Sequence, residues 1–218
     1  MKYDSIMFDL DGTLWDATES TAEAWRRTLE KHTFATPAVP LDAESIKKYM
    51  GMSNMELTSV FFPQLDYEVA YNLIEEASAL ENDILRERGG KLYDGVEELF
   101  CELTKRGLGL FIVSNCQAGY IESFLSAHGL TEYITDFECS GNTGKSKGEN
   151  ILDVISRNSL ERPVFVGDTT SDSKGAAFAE IPFIYARYGL GEKYVRGRVL
   201  DYNTAIDSLH ELVDVIEN

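Results

Sequence analysis

Asp9 and Asp11 stand two residues apart, where the apolar run Ile6-Met7-Phe8 gives way to Asp9-Leu10-Asp11-Gly12-Thr13. Side chains at i and i+2 of an extended segment face the same way, so the two carboxylates can address one reacting centre. One can attack while the other moves protons, a division of labour that phosphoryl transfer through an aspartyl intermediate requires. Gly12 lets the backbone turn tightly beside a substrate, and the Thr13 hydroxyl can hydrogen-bond locally to hold that turn. Two later apolar runs also end in polar groups. Leu108 to Val113 is followed by Ser114-Asn115, and Val164-Phe165-Val166 by Gly167-Asp168, with Asp172 four residues on.

Continuous apolar runs bounded by turn residues are the pattern of strands buried on both faces of a parallel sheet. Between them the spacing is helical: Val96, Leu99, Phe100 and Leu103 keep one stripe, and Ile151, Leu152, Val154 and Ile155 crowd another. Strands alternating with helices predict βαβ crossovers and an α/β fold, a doubly wound parallel sheet with a Rossmann-like core. A further strand is expected in "IPFIYARYG" after Glu180, a shorter one in "DFECSG" from Asp136, and a closing helix over Asn203–Ile216. Ligands of such sheets bind outside the carboxyl ends of the strands, so Asp9, Asp11, Ser114, Asn115, Asp168 and Asp172 are expected to meet in one crevice. Crowded carboxylates repel unless a cation sits among them. Oxygen donors without Cys or His select a hard ion, and Mg²⁺ is the expected cofactor.

The segment from Asp16 to about Gly90 is too long for a direct crossover of about 30 residues and carries no buried-strand pattern. It predicts helices in "ESTAEAWRRTLEKH", "AESIKKYM" and "NMELTSVFF". A longer helix from Asp66 to about Arg88 is expected to place Val69, Leu73, Ala77, Leu80 and Ile84 on one face. Pro37 and Pro40 punctuate the first loop and Gly89-Gly90 marks the return. The expected organisation is a catalytic core of residues 1–15 and 90–218 with an all-helical cap inserted over 16–89. Trp25 belongs to the apolar stripe of the first cap helix. Trp15, at the cap hinge, and the loop from Tyr49 to Asn54 are candidates for the substrate pocket.

A net charge of −17 over 218 residues repels nucleic acid and anionic membrane, so any anionic substrate must be held by local cations. Cys101, Cys116 and Cys139 are odd in number and lack CxxC spacing, which fits a reduced compartment, with Cys116 read as a small buried residue. No run approaches the 18 or more apolar residues of a membrane span, and the N-terminus enters on a strand pattern instead of a signal peptide. The expectation is a soluble, cytoplasmic protein.

"DLDGT" (Asp9 to Thr13), "VSN" (Val113 to Asn115), a lysine in "GKSKGEN" and "GDTTSD" (Gly167 to Asp172) resemble the four ordered motifs of the haloacid dehalogenase superfamily, in its phosphoglycolate phosphatase-like branch. The resemblance covers nearly the whole chain, because the helical insertion after the first motif matches that branch's cap. It implies a Mg²⁺-dependent phosphatase in which Asp9 attacks phosphorus and Asp11 protonates the leaving oxygen, then activates water. It implies Mg²⁺ held by Asp9, Asp168 and the backbone carbonyl of Asp11, with Asp172 acting through metal-bound water or by orienting the lysine. Thr13, Ser114, the amide of Asn115 and the lysine would bind the phosphoryl group.

Sugar-phosphate mutases of the β-phosphoglucomutase type share this fold and these motifs, but they carry a cap histidine about ten positions after the second aspartate, where this chain has Thr21. Dehalogenases lack the acid that Asp11 supplies. Receiver-type phospho-acceptor modules gather similar residues around Mg²⁺ yet have no cap. The family's lysine is usually followed by proline, and neither Lys145 nor Lys147 is. Lys147 is the expected phosphate ligand, because it adjoins a helix expected to begin near Glu149, whose first amides can share the anion. The Tyr49 to Asn54 loop offers no cation, and Lys47 and Lys48 are only neighbours, so phosphoglycolate, a sugar phosphate, a nucleotide monophosphate and pyrophosphate all stay open as substrates.

Overall fold

Along the central strands, successive side chains enter two different apolar layers, which is why these strands are apolar throughout. Ile6, Phe8, Leu110, Ile112, Val164 and Val166 face one layer, and Met7, Phe111, Val113 and Phe165 face the other. The structure, a computed structural model, describes residues 2–191, 193–194 and 201–217. In chain order, β1 (Ser5–Phe8) and a two-residue strand β2 (Trp15–Asp16) precede four helices, α1 (Thr18–Lys31), α2 (Ala43–Ile46), α3 (Asn54–Phe61) and α4 (Tyr67–Arg88). A short β3 (Lys91–Leu92), α5 (Val96–Lys105), β4 (Gly109–Ser114), α6 (Tyr120–His128), β5 (Asp136–Cys139) and α7 (Ser140–Thr143) follow. Next come α8 (Lys147–Asn158), β6 (Pro163–Gly167), α9 (Thr170–Phe178), β7 (Phe183–Ala186), β8 (Thr204–Ile206) and α10 (Leu212–Glu217).

The sheet is parallel, with strand order β5-β4-β1-β6-β7-β8. Helices α5, α6 and α10 cover one face and α8 and α9 the other. This is the α/β core expected from the sequence. The polar ends of β1, β4 and β6 lie side by side, because β1 pairs with β4 on one edge and β6 on the other.

Helices α1 to α4 form the cap, with an apolar cluster of its own that includes Trp25, Phe61, Phe62, Leu73 and Ile74. Trp25 lies 4.4 Å from Phe61, centroid to centroid, and stacks on Phe62 at 6.3 Å. Trp25→Ala empties the middle of that cluster. It is expected to lower unfolding free energy by about 3–5 kcal/mol, read by denaturant titration with circular dichroism. A loss below about 1 kcal/mol would show that the cluster contributes little. The buried face of α4 carries Ala70, Leu73, Ile74, Ala77 and Ile84, whereas Val69 is exposed and Leu80 only partly buried, so the stripe is turned from the expected one.

One element is not visible in the sequence and one expectation is corrected. The insertion is bounded by a strand pair, since β2 and β3 run antiparallel, Trp15 opposite Leu92 and Asp16 opposite Lys91. Two-residue strands carry no periodicity for a sequence pattern to show. The expected closing helix over Asn203–Ile216 begins instead as β8, which extends the sheet beside β7, followed by a single 3-10 turn and the short α10. Pairing with an existing sheet edge outweighs weak helical preference in "TAI". Among the described residues no helix is long and apolar enough to cross a membrane.

Candidate active site

Asp9 leaves the end of β1 with its amide bonded to the Val166 carbonyl at 2.8 Å and its side chain buried. Facing it is Lys147, the first residue of α8, placed by a capping box in which Ser146 and Glu149 satisfy each other's backbone amides. That box starts the helix two residues earlier than the sequence pattern suggested. The Lys147 ammonium donates to Asp9 Oδ1 at 2.7 Å and to Asp172 Oδ1 at 2.5 Å, and all three residues are buried. Lys145, in contrast, is exposed and pairs with Asp153 at 2.6 Å.

Asp172 serves two structural purposes. Its Oδ2 accepts from the Asp168 amide at 3.1 Å, the Thr169 amide at 2.8 Å and the Thr169 hydroxyl at 2.7 Å, closing the loop between β6 and α9. Its Oδ1 is the one that holds Lys147, so of the roles raised for it this geometry favours orienting the lysine. Asp168 receives the Leu190 and Gly191 amides on Oδ2 at 2.7 and 2.9 Å, and the Thr13 hydroxyl approaches its Oδ1 at 3.4 Å. Thr13 thereby secures the loop of Asp168. Gly12, at φ +81°, passes so close to the Asp168 carboxylate that a Cβ would collide with it.

Asp11 receives two donors on Oδ1, the Trp15 indole at 3.0 Å and the Tyr120 hydroxyl at 2.8 Å. Trp15 is fully buried between Tyr120 and Phe124 and lines neither cavity of the site. The expectation that it touches substrate is therefore corrected: it orients Asp11 from behind. Tyr120 had no sequence signal, because its partner is 109 residues away.

Ser114 is buried at the end of β4, and the Asn115 side chain donates to the Gly51 carbonyl of the cap at 2.9 Å and to Ser171 at 3.0 Å. Two cavities meet along the Met50 to Asn54 loop. The outer one, of about 750 Å³, runs past Asn54, Asn115, Lys147 and Thr169. The inner one is lined by Asp11, Ser114 and Tyr49, with Asn54 shared. Cys116 is half-buried and lines both, which corrects its reading as a buried filler. Thr21, Glu81 and Gln117 also reach the inner cavity without having been singled out by the sequence as a group. Glu81 accepts from Thr21 at 2.6 Å and from Gln117 at 3.1 Å, bonds that span 60 and 36 residues.

Burial pushes Asp9 up to about 6, helped by the charge of Asp172 and opposed by Lys147. Burial, then the neighbouring Asp9, holds Asp11 well above the usual carboxylate range, which favours the protonated form that can act as an acid. Asp168 is raised for the same reasons, burial first and then the charges of Asp172 and Asp9. Burial works against the Lys147 ammonium, but Asp172 and Asp9 more than offset it and keep it charged. The cluster is short of positive charge. Asp9 Oδ2 is buried with no hydrogen-bond partner, and Asp9, Asp168 and Asp172 each bring a carboxylate oxygen within 4.8 Å of the others. An orphaned carboxylate oxygen in an all-oxygen donor set fits a hard divalent cation.

The model of the haloacid dehalogenase-like hydrolases matches residues 6–186. The phosphoglycolate phosphatase of Photobacterium profundum is 26% identical over 97% of this chain and 95% of its own length. The N-acetylmuramic acid 6-phosphate phosphatase of Pseudomonas aeruginosa is 24% identical over 100% and 96%. A haloacid dehalogenase-like family hydrolase from Streptococcus pneumoniae superposes with a TM-score of 0.80 at 18% identity, covering 98% of both chains.

Proposed function

The chain belongs to the haloacid dehalogenase-like hydrolases and is a phosphatase, and on that premise we propose that it hydrolyses a small phosphorylated metabolite through an aspartyl-phosphate on Asp9. The observation that carries this reading is the buried Lys147 bridge to Asp9 and Asp172, which leaves one Asp9 oxygen without a partner. In the first step Asp9 attacks phosphorus, the P–O bond to the alcohol breaks, and Asp11 gives its proton to the departing oxygen. In the second, Asp11 takes a proton from water, whose oxygen attacks the aspartyl-phosphate and releases phosphate with Asp9 regenerated. Lys147, Ser114 and the Asn115 amide would hold the phosphoryl oxygens, on which charge spreads in the transition state. Trp15 and Tyr120 keep Asp11 aimed, both bonding to the same oxygen and leaving Oδ2 to carry the proton. Asp9, Asp168 and the Asp11 carbonyl would hold Mg²⁺, which when bound neutralises the nucleophile and the phosphoryl group. Residues 1–15 and 90–218 would form the unit that does the chemistry, and 16–89 the cap that shields it from water.

Thr21 supports hydrolysis over a mutase. Its hydroxyl donates to Glu81 at 2.6 Å, with the Ala17 carbonyl as a longer alternative acceptor at 3.1 Å, and it offers no base to a second substrate hydroxyl. A panel of phosphorylated metabolites assayed for phosphate release with Mg²⁺ and with EDTA tests the proposal. Turnover of at least one member, lost on chelation and restored by Mg²⁺, is expected. No turnover of any member, or turnover indifferent to chelation, would overturn it.

A further inference from the structure

On the phosphatase reading, from which this step proceeds, Asp11 hands its proton to the ester oxygen, so the leaving group lies on the Asp11 side of the phosphorus. That side opens into the inner cavity, about 50 Å³ in volume, with room for about three to five non-hydrogen atoms. Trp25, Leu57 and Phe61 give it apolar walls, and its polar groups are Glu81, Thr21, Gln117 and Ser78, with Tyr49 and Asn54 at the loop. Among the described residues no lysine, arginine or histidine lines it. Lys47, on the neighbouring turn, is drawn to Asp16 at 3.6 Å instead.

Glu81 is only 5% exposed and, among the described residues, has no cationic partner. A buried carboxylate without a counter-charge is costly unless its lone pairs are used. Thr21 and Gln117 donate one hydrogen bond to each oxygen, and a carboxylate has about four acceptor sites. Capacity for donors therefore remains on Glu81, which lines the same cavity as Asp11. We infer that Glu81 is a specificity residue that accepts a hydrogen bond from a hydroxyl or amino group of a small leaving group and excludes leaving groups bearing a carboxylate or second phosphate. A carboxylate entering this cavity would meet Glu81 with no cation to offset it, and burial, which already pushes Glu81 up to about 7, makes a second negative charge beside it costly.

Three phosphomonoesters of two-carbon alcohols, differing only in the terminal group, test this: 2-hydroxyethyl phosphate, phosphoethanolamine and 2-phosphoglycolate, with p-nitrophenyl phosphate as a general probe of turnover. For the wild-type enzyme, kcat/KM for the hydroxyl or the amine ester is expected to exceed that for phosphoglycolate by at least about 10-fold, and the better of the two identifies the donor. In Glu81→Gln the preference over phosphoglycolate is expected to fall to about 3-fold or less, through a rise in KM for the hydroxyl and amine esters and a fall for the carboxylate. Phosphoglycolate preferred by the wild type, or a preference unchanged in Glu81→Gln, would overturn the assignment while leaving the phosphatase reading intact. The wild-type comparison decides even where the variant fails to fold. No turnover of any of the four compounds would overturn the phosphatase reading itself, and the role of Glu81 with it.

Discussion

Asp9→Asn is expected to reduce turnover by about 10⁴–10⁶-fold, the scale on which a covalent enzyme loses activity with its nucleophile. The amide is nearly isosteric, and Lys147 keeps its bond to Asp172, so the fold has no reason to fail. Burial and the Asp172 charge both disfavour an ionised Asp9. In metal-free buffer the melting temperature of Asp9→Asn should therefore equal or exceed that of the wild type, which separates loss of chemistry from loss of structure. Rapid quenching with labelled substrate reads the intermediate directly: acid-stable, hydroxylamine-sensitive label on the wild type and none on Asp9→Asn. Label on the variant at wild-type level would move the nucleophile elsewhere.

Asp11→Asn completes the comparison, because it removes proton transfer while Asp9 stays in place. Its cost is expected at about 10²–10⁴-fold, and the two steps should respond differently. A p-nitrophenolate leaving group departs without a proton, so Asp9 is still phosphorylated, but water lacks its base. Label should therefore accumulate on Asp11→Asn with that substrate. The indole and the phenol on Asp11 Oδ1 hold the variant side chain in place, since the amide oxygen can accept both bonds.

The parts of this molecule legible in the sequence are those whose physics is local. Strands β1, β4 and β6 show as apolar runs because both faces of each are buried, whereas the capping box of Ser146 and Glu149, a local i, i+3 pattern absent from the sequence-based expectation, starts α8 two residues earlier than expected. The expected site residues at the strand ends follow from topology, because a parallel sheet brings its carboxyl ends to one edge. Long-range pairing leaves no such mark. Strand β8 exists through its register with β7, Ile184 opposite Thr204, and nothing within "TAI" announces it. Trp15 shows why adjacency to a catalytic loop is an unsafe guide to function: the chain reverses at Gly12, and the indole passes behind Asp11 into the core instead of forward into the cavity. Glu81 reaches the site only because the cap folds back over the core, whereas Gln117 and Tyr120 reach it because β4 pairs with β1 and brings the segment after it beside Asp11, and each bond they make spans dozens of residues.

Lys147→Ala is expected to lower turnover by about 10²–10³-fold, the usual cost of removing one preorganised group from a charged transition state, whereas Lys145→Ala should remain near wild type. Position alone separated these lysines poorly in the sequence. In the structure they differ in every physical respect, for one is buried between two carboxylates and the other lies in solvent beside Asp153. Removing the buried cation leaves Asp9 and Asp172 facing each other without compensation, and breaking a buried ion pair from one side typically costs about 3–5 kcal/mol. Lys147→Ala should thus also melt at a lower temperature than the wild type in metal-free buffer. The double variant Lys147→Ala/Asp9→Asn discriminates the two effects. It removes one of the stranded charges, so it should recover part of the lost stability while recovering none of the activity. A double variant no more stable than Lys147→Ala would mean that the lysine does not offset the Asp9 charge. Kinetics reversed between Lys145→Ala and Lys147→Ala would assign the phosphoryl contact to Lys145.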